Sequence, residues 1–169
     1  MRRRDEAELR RLYREHVDAV YAFFAYAVSK AAAEDLTSST FERVVRNWHR
    51  YDPQRAGERT WILAIARNAL TDHHRRQRHR DALSTDEHPV LLDALQHDGL
   101  EQRLDRAELL SWLADLQPRE QELLALRYGA DLTAADIAEL TGLGIANVHQ
   151  IISRSLRRLR AIASQPSPH

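Results

Sequence analysis

The chain has 169 residues, 25 Lys+Arg against 25 Asp+Glu, and no cysteine. It allows one ordinary domain or two small ones, excludes disulfides and thiolate metal sites, and fits a reducing compartment. The zero net charge hides a block pattern: Met1 to Arg80 carries 17 basic and 11 acidic side chains (+6), Asp81 to Ser111 carries 2 and 8 (−6), and Trp112 to His169 carries 6 of each. A basic block followed by an acidic one points to a polyanion partner at the basic part. Only 5 Gly and 5 Pro, with plentiful Ala, Leu, Arg and Glu, favour an all-α fold. The longest apolar stretch, Val17 to Val28, is interrupted by Asp18 and is too short to span a bilayer. Met1-Arg2-Arg3-Arg4 leads into acids rather than an apolar signal core. A soluble, cytoplasmic protein without membrane insertion is expected.

In chain order, Leu9, Leu12, Tyr13, Val17, Val20, Tyr21 and Phe24 recur at helical spacing and predict a helix from about Asp5 to Val28. A second helix is predicted from Ala32 to His49, with Leu36, Thr40, Phe41, Val44, Val45 and Trp48 as its apolar stripe and Glu34 and Asp35 at its start. Tyr51-Asp52-Pro53 breaks it, and a loop containing Gly57 follows. A third helix starts near Arg59, carries Trp61, Ile62, Ile65, Ala66, Ala69 and Leu70, and turns wholly polar from His73 to Arg80. Asp81 to Leu100 lacks a sustained period and reads as a linker, with a short turn at Val90 to Leu95.

Leu104 to Asp115 begins a second helical unit. Pro118 suits the first position of the next helix, and Gly129 is expected to stop it as a C-cap. Thr133 with Asp136 resembles a capping pair, Gly142 makes a tight turn, and a last helix runs from about Ile145 to Ile162 with Val148, Ile151 or Ile152, Leu156 and Leu159 inward. Two helices about a glycine turn form the helix-turn-helix pattern.

In that pattern the second helix enters the DNA major groove, and Ala146, Asn147, His149 and Gln150 are its exposed candidates. Asn and Gln can make bidentate contacts to adenine edges. Arg154, Arg157, Arg158 and Arg160 suit phosphates, which position without specifying. Arg75, Arg76, Arg78 and Arg80 end a helix that carries Trp61 near its start, a combination suited to single strands, although basic residues also complement a helix C-terminus. Trp48 and Trp61 read as core. No carboxylate or cysteine completes a metal set around His73, His74 and His79, so no metal and no cofactor are expected. There is no Gly-rich phosphate loop, nucleophile–base pair or paired catalytic carboxylate setting, so no catalytic residue is assigned and no enzyme is expected.

Over nearly its whole length the chain resembles the bacterial RNA polymerase sigma factors of the extracytoplasmic-function (ECF) group. The resemblance rests on Glu34-Asp35-Leu36-Thr37-Ser38-Ser39-Thr40-Phe41, on Tyr51-Asp52-Pro53-Gln54-Arg55, and on Thr60 to His73 with its Arg tail. In the second half it rests on Leu116 to Gln121, on Arg127-Tyr128, on Asp136-Ile137-Ala138-Glu139, and on Ser153 to Arg160. It implies an all-α chain of two small helical domains: region 2 over 1–80, an acidic linker over 81–103, region 4 over 104–163, and a disordered tail over 164–169. It implies core RNA polymerase docking through Asp35, Ser39, Glu42, Arg43 and Arg46. It implies minus-ten DNA contacts from Arg55, Arg59, Trp61, Asn68, Asp72, Arg75 and Arg76, with a flipped non-template base taken by the Pro53–Thr60 loop. Minus-thirty-five contacts would come from Ala146, Asn147, His149, Gln150, Arg154, Arg157 and Arg158. Promoter DNA, duplex and melted, and an anti-sigma factor are the further partners implied. The chain departs from the family pattern at Ser38, Ser39, Glu58 and Ile151. Two other readings stand beside this one: a helix-turn-helix regulator that does not load onto polymerase, and an interaction module that titrates an anti-sigma factor.

Overall fold

The computed structural model describes residues 3–83, 111–113 and 115–163. Most of the acidic linker, its expected turn at Val90 to Leu95, the expected helix start at Leu104 and the tail lie outside the described residues. All regular structure among the described residues is helical. The elements are α1 (Arg3–Ala25), α2 (Lys30–Asn47), a 3-10 turn (Trp48–Arg50) and α3 (Glu58–Leu83), then α4 (Pro118–Leu124), a π-helical turn (Ala125–Gly129), α5 (Ala134–Thr141) and α6 (Ile145–Ala163).

α1 ends at Ala25, three residues before its expected end, and buries Leu12, Val20, Phe23 and Phe24 completely. Tyr13, counted in the apolar stripe, is 49% exposed and meets Phe41 edge-on with ring centroids 4.8 Å apart. α2 starts two residues before its expected start because Ser29 caps it, its Oγ accepting from the Ala32 amide at 3.4 Å. Its buried face is Ala33, Thr37, Thr40, Phe41 and Val44, whereas Val45 is 44% exposed and falls off the stripe. The Thr37 hydroxyl donates to the Ala33 carbonyl and the Thr40 hydroxyl to the Leu36 carbonyl, both at 2.7 Å. These bonds satisfy hydroxyls that burial would otherwise penalise. α3 buries Ile62, Leu63, Ala66, Ala69 and Leu70 and runs on through its polar tail to Leu83.

In the second half, Pro118 occupies the first turn of α4, and the Gln117 amide donates to Glu120 Oε2 at 3.0 Å. Thr133 and Asp136 cap α5 reciprocally, with amide-to-side-chain distances of 3.0 and 3.2 Å. Gly142 has φ 72° and makes the left-handed turn into α6, where a side chain would be strained. Along α6, Val148, Ile151, Ile152 and Ser155 are buried, so both isoleucines face inward rather than one.

Gly129 does not act as a left-handed cap. Its role is close approach: a Cβ built there would lie 2.8 Å from the carbonyl oxygen of Ala22 and 3.1 Å from the amide nitrogen of Phe23. α1 therefore packs on α2 and α3 and also on the π turn of the second half, while α3 touches α5. One hydrophobic core of buried side chains extends from Leu12 to Ile152.

Gly129→Ala is expected to destabilise the protein by about 1–3 kcal/mol through overpacking against α1. Gly57→Ala, where no heavy atom lies within 4 Å of the added Cβ, is expected to be neutral or slightly stabilising. Urea unfolding of the two variants checks this, and equal effects would contradict the close-approach role.

Candidate nucleic-acid interface

The loop between the 3-10 turn and α3 folds over three aromatic rings. Trp48 stacks on Tyr51 with centroids 5.0 Å apart, and Trp61 lies 5.2 Å from Tyr51 and 6.0 Å from Trp48. Trp48 and Trp61 are partly buried against the core, as expected for core residues, and the Tyr51 hydroxyl donates to the Ala56 carbonyl at 3.2 Å. Burial, with the charges of Glu58 and Asp52, pushes the Tyr51 phenol above its ordinary range. Arg55 projects from this loop with 88% of its side chain exposed, near Asp52 at 3.8 Å.

Glu58 begins α3 and is tied to α1. Arg11 donates to its two carboxylate oxygens at 2.7 and 3.1 Å and to Glu15 at 2.6 Å. The Arg11 hydrogen bonds hold the Glu58 carboxyl below its usual range, against the opposing effect of burial. His16 Nε2 lies 3.7 Å from Glu58. Glu15, His16 and Glu58 have donor atoms close enough for a cation, but the Arg11 guanidinium already bridges both carboxylates there.

Along α3, Asn68, Arg75 and Arg76 are exposed and Asp72 is half-buried. Arg75 reaches Asp72 at 3.3 Å, and Arg43 of α2 reaches the other Asp72 oxygen at 3.7 Å. A residue expected to meet polymerase and one expected to meet DNA are thus paired with each other. Arg75, Arg76, Arg78, His79 and Arg80 line one concave cationic surface. His73 and His74 are held below the ordinary imidazole range, chiefly by burial and then by neighbouring positive groups, so they add little charge to it at neutral pH. On α2, Asp35, Glu42 and Arg46 are exposed, while the Ser39 hydroxyl donates into its own helix at the Leu36 carbonyl, 3.1 Å away.

At the start of α6, Ala146, Asn147, His149 and Gln150 are exposed around the buried Val148. Arg157 is also exposed. Arg154 and Arg158, exposed as well, pair with Glu120 of α4 at 3.7 and 2.8 Å, and Arg158 also donates to the Asp115 carbonyl at 3.1 Å. Glu120 is only 5% exposed, so its charge is balanced by these two arginines while it also caps α4. Sequence reasoning singled out neither Glu120 nor its pairing, because the partners are 34 and 38 residues away with no local pattern linking them.

Arg59 is placed against the second half of the chain rather than on an open strand-facing surface. Its Nη2 donates to the Ala130 carbonyl, and its buried Nε has no partner among the described residues. A buried donor left unpaired costs about 1–3 kcal/mol. Two turns further along α3, Arg67 pairs with Glu122 of α4 and donates to the Leu140 carbonyl of α5 at 3.3 Å. Arg67 lies within the Thr60–His73 stretch, but no role was assigned from sequence to Arg67, Glu122 or Ala130.

Residues 12–80 match the family described as Sigma-70 region 2, and residues 112–161 match Sigma-70, region 4. The ECF RNA polymerase sigma factor BldN of Streptomyces coelicolor is 34% identical over 88% of this chain, and this chain spans 58% of its length. The ECF RNA polymerase sigma factor SigC of Mycobacterium tuberculosis is 34% identical over 85% of this chain and 77% of its own length. The ECF RNA polymerase sigma factor RpoE of Cereibacter sphaeroides is 30% identical over 93% of this chain and 87% of its own. Among solved structures, the sigma factor RpoE in complex with the anti-sigma factor NepR from Bartonella quintana shares the fold, with a TM-score of 0.71 at 18% identity, covering 92% of this chain and 96% of that one. CnrH in complex with the cytosolic domain of CnrY gives a TM-score of 0.68 at 19% identity, covering 95% and 91%. With both sigma regions matched in order and relatives alike over most of its length, the chain belongs to the ECF sigma factors of bacterial RNA polymerase.

Proposed function

We propose that this protein binds core RNA polymerase and directs promoter recognition, melting and transcription initiation, with residues 1–80 acting as region 2, 81–103 as the acidic linker and 104–163 as region 4. The observation that supports this reading is two separate surfaces on one chain whose residue types suit nucleic acid. The cationic α3 tail suits the phosphates of a melted strand, and the exposed polar start of α6 suits base edges of a duplex. Arg55, Trp61, Asn68, Asp72, Arg75 and Arg76 serve the minus-ten strand, joined by Arg59 when it leaves Ala130. Ala146, Asn147, His149 and Gln150 read the minus-thirty-five element. Arg157 meets phosphate there, while Arg154 and Arg158 brace the α6–α4 contact through Glu120 and reach phosphate only from its edge.

Asp35, Glu42 and Arg46, exposed on α2, form the polymerase-docking face with Arg43 and Ser39 at its border. The protein acts without catalysis of its own, in the cytoplasm beside the polymerase, and an anti-sigma factor controls it. Relatives of the same fold solved with an anti-sigma factor support that last assignment. No helix among the described residues is long and apolar enough to cross a membrane.

The direct test is transcription with purified core enzyme on genomic fragments. Promoter-dependent transcripts are expected; duplex binding without core association would point instead to a stand-alone regulator. Two substitutions sharpen the residue assignments. Arg75→Ala with Arg76→Ala is expected to weaken promoter opening and to reduce the salt slope of strand binding by about 1.4, the value for two single-strand phosphate contacts. An unchanged slope would remove these side chains from the interface. His149→Ala with Gln150→Ala is expected to change minus-thirty-five preference while leaving core affinity intact. A loss of core affinity would show that this helix face has been misassigned.

A further inference from the structure

We propose that Glu120 is a positioning residue for duplex reading: it draws Arg154 and Arg158 onto protein oxygens, so that α6 meets DNA through its polar start and not through its arginine-rich end. The inference rests on the reading of α6 as the duplex-reading helix.

α6 carries four arginines and no carboxylate. Asn147, Gln150, Arg154 and Arg158 recur three or four residues apart, so they lie along one stripe of the helix. On that stripe the two arginines continue the line of base-reading candidates, where phosphates suit them. Glu120 competes for both. It is 5% exposed, and a carboxylate so buried needs hydrogen bonds and a counter-charge. Its Oε2 accepts from the Gln117 amide at 3.0 Å and from Arg158 Nη1 at 2.8 Å. Arg158 Nη2 donates to the Asp115 carbonyl at 3.1 Å, so both tips of its fork rest on protein although the side chain is exposed. Arg154 Nε lies 3.7 Å from Glu120 Oε1, too far for a hydrogen bond and close enough for charge attraction.

One carboxylate therefore attracts two arginines that DNA would otherwise use. Phosphate contacts add affinity without sequence information, and a non-specific complex is free to take the register that makes the most of them. Holding Arg154 and Arg158 back leaves recognition to the side chains at the start of α6. It also keeps the duplex grip of the chain alone weak.

The test uses the full chain without polymerase and a short fluorescent duplex of mixed sequence, with the salt dependence of binding as the readout. Glu120→Gln removes the charge but keeps an acceptor for the Gln117 amide, because Gln serves at this capping position as Glu does. It is expected to retain helical circular dichroism and to tighten duplex binding about threefold or more at ~0.15 M salt. The salt slope is expected to steepen by about 0.9–1.8, the value for one to two phosphate contacts. Adding Arg154→Ala and Arg158→Ala to Glu120→Gln is expected to abolish that gain. With Glu120 left in place, Arg157→Ala is expected to flatten the slope by about 0.9, and Arg158→Ala to flatten it less.

Unchanged or weaker duplex binding by a folded Glu120→Gln chain, the pattern of a brace alone, would overturn the proposal. So would a gain that survives the loss of both arginines, the pattern of a general charge effect. Equal flattening by Arg157→Ala and Arg158→Ala would overturn it too, and that comparison stands even where Glu120→Gln does not fold. A slope that Arg157→Ala leaves unmoved would count against α6 as the duplex-reading helix, and the proposal would fall with that reading.

Discussion

The structure depends on the close approach of Gly129 to the backbone of Ala22. A glycine there lets the π turn that follows α4 lie against α1, the helix around which α2 and α3 also pack. Any side chain at 129 would meet a carbonyl carbon and oxygen rather than a flexible group, so neither partner can yield cheaply. That single steric allowance brings the second half of the chain within reach of Arg59 and Arg67. Helical units of this size bury only a small fraction of their surface alone, and the junction gives both halves one shared apolar interior.

Arginine is the currency of the remaining contacts. Arg11 fixes the start of α3 through Glu58, Arg67 and Arg59 reach from α3 to the second half, and Arg158 with Arg154 holds α6 to α4 through Glu120. The planar fork of the guanidinium suits both carboxylate pairs and phosphate. The same residue type therefore stabilises the fold and binds nucleic acid, and only its surroundings separate the two uses. Arg76 lies exposed on the cationic tail, while the partly buried Arg59 is committed to a protein carbonyl. Charge blocks along the chain locate the polyanion-binding part, but they do not distinguish a solvent-facing arginine from one already engaged.

Local features were legible in the sequence. The apolar periods of α1, α3 and α6, Pro118 at the start of α4, the Thr133–Asp136 cap and the Gly142 turn all follow from residue type and spacing within one or two turns. The Ser29 cap is less conspicuous than Glu34 and Asp35, and apolar residue type alone does not separate the buried Val44 from the exposed Val45 beside it. The exposed start of α6 and the cationic tail of α3 were also legible, since they are polar runs on otherwise amphipathic helices. What could not be read were the partners separated by long stretches of chain: Arg59 with Ala130, Arg67 with Glu122, and Glu120 with Arg158. No period or cap connects such residues. Gly129 shows the limit well, because a glycine after an apolar helix looks like a C-cap until the neighbouring helix is in place.

The association of the two halves is the claim on which the others rest, and small-angle X-ray scattering of the full chain without partners tests it most directly. A radius of gyration close to the ~16 Å of one compact body of this length, enlarged only modestly by the acidic linker, is the expected result. A value well above ~22 Å, with a scattering profile of two separate bodies, would contradict it.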